Sequence, residues 1–152
     1  MAFEALNDLY REVILDHFKN PRNHTPLSKF DVEQEGYNPL CGDHIKLQLE
    51  FQNGRVAKIG FIGKGCSISQ ASASILTEEI QGKTISEMEK EIQFFKSMMQ
   101  GEVNCEDQDI GDLEALSGVR KFPVRIKCAL LSWTTLEEAL NFYQEKTKGT
   151  HP

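Results

Sequence analysis

The sequence predicts an α+β fold: a small antiparallel β-sheet packed against several α-helices. Two observations carry this. Apolar residues recur at helical spacing near the N-terminus and again across the last third of the chain. Between them, two alternating apolar–polar runs flank Asn53-Gly54, a strong type I′ hairpin signal. Strands clustered between helices read as α+β. At 152 residues a single domain over 1–152 is expected.

Leu6, Leu9, Tyr10, Val13, Ile14 and Phe18 form one helical stripe. Asn20-Pro21 ends it, because the residue before proline is pushed out of the helical region. Residues 21–40 are polar and irregular, with a short strand at 36–40 leading into Cys41. Ile45, Leu47, Leu49 and Phe51 alternate with Lys46, Gln48 and Glu50, a half-buried strand. Ala57, Ile59 and Phe61 are the inward positions of its partner. Gly63-Lys64-Gly65 breaks that strand. Ser67 or Ser69 caps a helix to about Gln81, with Ala71, Ile75, Leu76 and Ile80 inward and Gly82 as the stop. Thr84-Ile85-Ser86-Glu87 is a capping box opening a helix through Met88, Ile92, Phe95 and Met99, ended by Gly101. Residues 102–112 read as an acidic loop, and Leu113 with Leu116 as a short helix. Pro123 suits the first turn of the last helix, whose stripe is Ile126, Ala129, Leu130, Trp133, Leu136, Leu140 and Tyr143. Residues 147–152 are expected to fray.

Composition narrows the function. A net charge of −6 argues against general nucleic-acid binding, which needs a basic face. Mean hydropathy is −0.41, and no apolar run approaches the roughly 20 residues of a membrane span. The N-terminus lacks the basic and apolar regions of a secretion signal. A cytoplasmic protein with reduced thiols is expected. Its four cysteines then point to metal binding or thiol chemistry rather than disulfides.

Three cysteines and one aspartate stand out. They occur as Asn38-Pro39-Leu40-Cys41-Gly42-Asp43, Gly63-Lys64-Gly65-Cys66 and Val124-Arg125-Ile126-Lys127-Cys128. Proline stiffens the approach to Cys41 and glycine permits a sharp turn, so Asp43 can reach the same point as the sulfur. Zinc accepts cysteine sulfur and aspartate oxygen in a tetrahedron. Cys66 follows a Gly-x-Gly turn at a helix start, where the helix N-terminus and Lys64 favour a thiolate. Cys128 sits beside Lys127 and Arg125. Taken singly each has a bland reading: Cys-x-Asp as a turn, Cys66 and Cys128 as small core residues. Together, Cys41, Asp43, Cys66 and Cys128 suggest a zinc site whose ligands are also reactive sulfurs. Lys64, Arg120, Lys121, Arg125 and Lys127 fit either a cationic rim around it or ordinary solvated charge. Cys105 lies among carboxylates that disfavour a thiolate and reads as a bystander. His17, His24 and His151 are weak candidates, and His44 should point away from Asp43 across its strand.

These motifs, with the Leu9-Tyr10-Arg11-Glu12-Val13-Ile14-Leu15-Asp16-His17 helix and Asn20-Pro21, resemble the IscU/NifU-type iron–sulfur assembly proteins, specifically the zinc-containing SufU branch. The resemblance covers nearly the whole chain. Where IscU-type members carry a histidine before the third cysteine, this chain has Lys127, which is not a routine metal ligand. It also has an apparent insertion at about 94–116, shared with SufU-like members, and Phe122-Pro123-Val124-Arg125 in place of an intact chaperone-binding motif.

The resemblance implies a partner, a SufS-type cysteine desulfurase, and further downstream cluster-assembly proteins. Cys41 aligns with the acceptor thiol, and Asp43, Cys66 and Cys128 would keep the zinc. Arg125 matches a position linked to engaging the desulfurase. In the expected cycle a partner histidine takes the place of Cys41 on the ion, and Cys41 attacks the outer sulfur of the partner's persulfide. The alternative is a scaffold on which the same four residues hold a transient [2Fe–2S] cluster. A purely structural zinc protein is a third reading. A zinc hydrolase is disfavoured, because four protein donors leave no position for water.

Overall fold

The computed structural model describes residues 8–103 and 110–149. Cys105, His151 and part of the acidic loop lie outside the described residues. The chain runs α1 (Asp8–Lys19), β1 (Val32–Asn38), β2 (Asp43–Gln52), β3 (Arg55–Lys64), α2 (Ser67–Ile80), α3 (Ile85–Met99), α4 (Leu113–Ser117), a 3₁₀ turn (Gly118–Lys121) and α5 (Pro123–Gly149). The strands form one antiparallel sheet in the order β1-β2-β3. This is the α+β architecture that the patterning predicts.

Local rules explain most of the boundaries. Asn53 and Gly54 both have positive φ, as a type I′ turn requires. Thr84 and Glu87 make the reciprocal capping box at the head of α3. Gly101, just past its end, has φ +77°. Among the described residues, no helix is long and apolar enough to cross a membrane.

Three expectations change. First, β1 starts at Val32 within a stretch read as irregular. Glu33, Gln34 and Glu35 carry no apolar alternation, because this is an edge strand whose register comes from pairing with β2. Second, the inward position in β3 is Val56, not Ala57. Phe51 pairs with Val56 and Glu50 with Lys58, so Ala57 is left without a partner at a bulge and the face switches there. Third, α5 continues through Gly149, so the backbone at 147–149 is helical rather than frayed.

The core lies between the sheet and the helices. Helix α5 packs on β1 and β2, and α2 packs against α1, α5 and β3. Two polar contacts register α2 on α5. The Trp133 indole N–H donates to Ser72 Oγ at 3.1 Å, and the Ser72 hydroxyl donates to the Ala129 carbonyl at 2.6 Å. That fixes the turn of α5 carrying Cys128 against the helix that begins at Cys66.

Helix α5 approaches the sheet closely at Gly36. A Cβ there would fall 2.1 Å from Thr135 Oγ1 and 3.2 Å from Leu131 Cδ1. Thr135 cannot swing away without losing its 2.7 Å bond to the Leu131 carbonyl. Gly36→Ala is therefore expected to destabilise the fold by about 1–3 kcal/mol through overpacking. Thermal denaturation should read this as a lower midpoint, and an unchanged midpoint would refute the close approach.

Candidate metal centre

The centre is assembled from the ends of four elements. Asn38 and Asp43 are the last pair of the β1–β2 hairpin. The loop between them turns through Gly42 at φ +67°, and the Cys41 N–H donates to the Asn38 carbonyl at 3.2 Å. Cys41 thus sits at a hairpin tip, next to Leu40, which is 76% exposed. Asp43 points the other way, into the protein, and is 2% exposed.

Cys66 is the N-cap of α2. Neither Ser67 nor Ser69 plays that role. The Ser69 N–H donates to Cys66 Sγ at 3.4 Å, where a serine oxygen would ordinarily accept. The sulfur thereby satisfies one of the orphan N–H groups of the first helical turn. The Cys66 N–H donates in turn to Asp43 Oδ1 at 2.9 Å. Cys128 lies early in α5 and is fully buried.

Cys41, Asp43 and Cys128 converge, and Cys66 lies alongside Asp43, outside that tightest group. Cys41 Sγ and Cys128 Sγ are 3.2 Å apart, and Cys66 Sγ is 3.9 Å from Asp43 Oδ2. Ligand atoms of Cys41, Asp43 and Cys128 all lie within 4.8 Å of one another. Burial, aided by the hydrogen bond to Cys41 and the nearby acidic groups Cys66 and Asp43, pushes the Cys128 thiol far above its ordinary range. A cation joined to the cluster would let that buried thiol ionise. Arg125 supplies one positive charge. Its guanidinium is held more firmly protonated by a hydrogen bond to Cys128 and by the fields of the three thiols.

The donor set fits zinc: three sulfurs and one carboxylate from three segments, the softness and number of a closed tetrahedral site. The surroundings fit as well. Gly65 leaves open the space its own Cβ would fill, 2.3 Å from Asp43 Oδ1. Because a thiol must lose its proton to bind, loading the metal-free chain should release about two to three protons. Calorimetry in buffers of different ionisation enthalpy measures this. Apparent affinity should fall steeply as pH drops, and a pH-independent affinity would contradict the assignment.

Other expectations fall on both sides. His44 does face away from Asp43: its Nε2 is 3.0 Å from Glu35 Oε2 and its ring stacks on Tyr37 at 4.6 Å. Of the five cations read near the cysteines, Arg125 reaches the thiols. Arg120 instead donates to the backbone carbonyls of Ser117 and Met98, at 3.1 and 3.3 Å, so it is not part of the rim. Lys64 and Lys127 are exposed. His17, set aside from sequence, is buried between Ser74 Oγ (2.8 Å) and Asp112 Oδ2 (2.7 Å). Both ring nitrogens have partners there, and they tie α1 to α2 and to the start of α4. Asn38 was missed as a site residue. Its amide nitrogen lies 3.4 Å from Asp43 Oδ2 and 3.6 Å from Cys128 Sγ. The only sequence signal was Asn-Pro, which reads as a turn.

A family model, the NifU-like N terminal domain, matches residues 9–129, spanning all four of these residues. The chain belongs to the IscU/NifU-like family of iron–sulfur cluster assembly proteins. Among the similar members, a Bacillus subtilis protein named zinc-dependent sulfurtransferase SufU is 48% identical, covering 92% of this chain and 95% of its own. An iron–sulfur cluster assembly scaffold protein IscU from Streptococcus pyogenes is 41% identical, over 92% and 87%. The crystal structure of a Fervidobacterium islandicum AW-1 protein, provisionally described as an iron–sulfur cluster assembly scaffold for the SUF system, superposes with a TM-score of 0.79. It is 35% identical, over 85% of this chain and 94% of that one. The IscU/NifU-like fold accounts for the hairpin tip, helix cap and late helix meeting at one point.

Proposed function

We propose that this IscU/NifU-like domain is a zinc-dependent sulfurtransferase. Cys41 accepts persulfide sulfur from a SufS-type cysteine desulfurase and passes it on for iron–sulfur cluster assembly. Cys41, Asp43, Cys66 and Cys128 would hold the zinc. Bound there, the ion would keep the sulfurs as thiolates at neutral pH while damping their nucleophilicity.

The observation that carries this reading is the unequal setting of the three thiols. Cys128 is fully buried on α5 and Cys66 caps α2, whereas Cys41 stands on a hairpin tip between exposed Leu40 and the open turn at Gly42. Cys41 can move toward a partner without disturbing a helix. The resemblance to the named sulfurtransferase from Bacillus subtilis supports the same assignment.

The chemistry balances without an added oxidant. The Cys41 thiolate attacks the outer sulfur of the desulfurase persulfide. A new sulfur–sulfur bond forms at Cys41, the old one breaks, and its electron pair leaves with the partner's cysteine as a thiolate. One such bond replaces another, so the exchange is near neutral in energy. Arg125, against the thiol cluster, steadies the anionic sulfurs, and its place beside the site suits contact with the partner.

The assay mixes the purified chain with desulfurase and cysteine and maps persulfide by mass spectrometry. Persulfide at residue 41 is expected. Its appearance only at Cys66 or Cys128 would overturn the assignment. The relatives named as scaffolds keep a second reading in view, a [2Fe–2S] cluster on the same residues. Lys127 argues against it, since an exposed ammonium supplies no imidazole ligand beside Cys128. Anaerobic purification distinguishes the two: stoichiometric zinc and no visible absorbance favour transfer.

A further inference from the structure

Asn38 is 7% exposed and closes the hairpin opposite Asp43. Its backbone carbonyl accepts the Cys41 N–H, while its side chain turns inward to Asp43 and Cys128. A carboxylate and a thiolate are both acceptors. The amide must therefore present its NH₂ end, and its two N–H bonds can serve both at once. Cys41 is not among the contacts of that side chain.

We propose that Asn38 is a positioning residue that locks Asp43 to Cys128, so that this pair is the fixed half of the centre while Cys41 exchanges sulfur. The inference rests on the reading of Cys41 as the acceptor. Its physical basis is the behaviour of groups that hydrogen-bond metal ligands: they orient the donor atoms, and losing one costs roughly 10- to 100-fold in metal affinity. Asp43 has two such donors, the Cys66 N–H on Oδ1 and Asn38 on Oδ2. Cys128 likewise has Asn38 and Arg125. Among the described residues that are not themselves donors to the centre, Asn38 has a side chain that reaches both. A fixed Asp43–Cys128 pair, with Cys66 held by its helix cap, would let Cys41 depart without the site falling apart.

Asn38→Leu keeps the side chain's size and the backbone carbonyl but removes both donors. Zinc release to a chelator should then be about 10- to 100-fold faster, and the cobalt-substituted protein should show shifted sulfur-to-metal absorption. A folded Asn38→Leu protein with unchanged release and cobalt spectrum overturns the role. Wild-type protein loaded with cadmium-113 gives a readout independent of folding in the variant. The Asn38 side-chain amide proton should couple to the metal nucleus through the Cys128 sulfur, and absence of that coupling also overturns the role. Failure of the transfer reading is distinguishable: wild-type Cys41 would then gain no persulfide, whatever the metal measurements give.

Discussion

Replacing Cys41 with serine is expected to abolish persulfide acceptance. Persulfide on the chain and stimulation of the desulfurase should both fall by about a hundredfold or more, equivalent to at least ~2.7 kcal/mol of lost transition-state stabilisation. A hydroxyl at neutral pH offers no comparable nucleophile, and no other sulfur stands at the hairpin tip. The fold should survive, because Cys41 is partly exposed on a turn whose backbone bond to Asn38 does not involve the side chain. Zinc should be retained more weakly, on Asp43, Cys66 and Cys128. The comparison with Cys128→Ser is informative. That change buries a hydroxyl in place of a fully buried thiol and should lower thermal stability and metal content together. If Cys41→Ser left the desulfurase fully stimulated, the transfer mechanism would be wrong.

The second large effect is expected from Gly65→Ala, a residue that touches no substrate. Gly65 has φ +152°, a conformation side-chain-bearing residues rarely adopt, at about 1–3 kcal/mol. The new methyl would also meet Asp43 Oδ1 at 2.3 Å, Asp43 Cα at 2.9 Å and Ser69 Oγ at 2.9 Å. Two of these atoms belong to Asp43, the first residue of β2, whose backbone is pinned by pairing with Asn38 of β1. The carboxylate must therefore turn away, breaking its bond to the Cys66 N–H. A loss of about 3 kcal/mol follows, or roughly 6–12 °C in thermal midpoint, with zinc affinity lower by about 10- to 100-fold. Gly54→Ala is the control. Its φ is also positive, but nothing lies within 4 Å, so only the backbone penalty of about 1–2 kcal/mol should appear and metal binding should not change. Equal metal affinity in Gly65→Ala and wild type would sink the argument.

The elements most legible in the sequence are those governed by neighbours along the chain. The Asn53-Gly54 turn, the Thr84–Glu87 capping box and the Pro123 start of α5 rest on interactions spanning a few residues, and all three stand where the patterning puts them. Strand β1 was only partly legible because an edge strand takes its register from its partner. The bulge at Ala57 was not legible at all, since a two-residue alternation carries no sign of an inserted residue. The cap of α2 was misread for a different reason: serine is the common choice, and a cysteine sulfur accepting the helix N–H is chemically equivalent but seldom used.

The sequence by itself determined the α+β class, the family and the four residues Cys41, Asp43, Cys66 and Cys128 as one constellation. Donor type and turn chemistry are written in short motifs. Only the tertiary structure decided how unequal those residues are. It placed Cys41 on a tip, Cys66 on a cap and Cys128 in the core, set Arg125 rather than Arg120 against the sulfurs, and brought Asn38 beneath Asp43 and Cys128. Each of these depends on strand register and helix packing between residues far apart in the chain. Burial and long-range hydrogen bonds exist only once those surfaces have met.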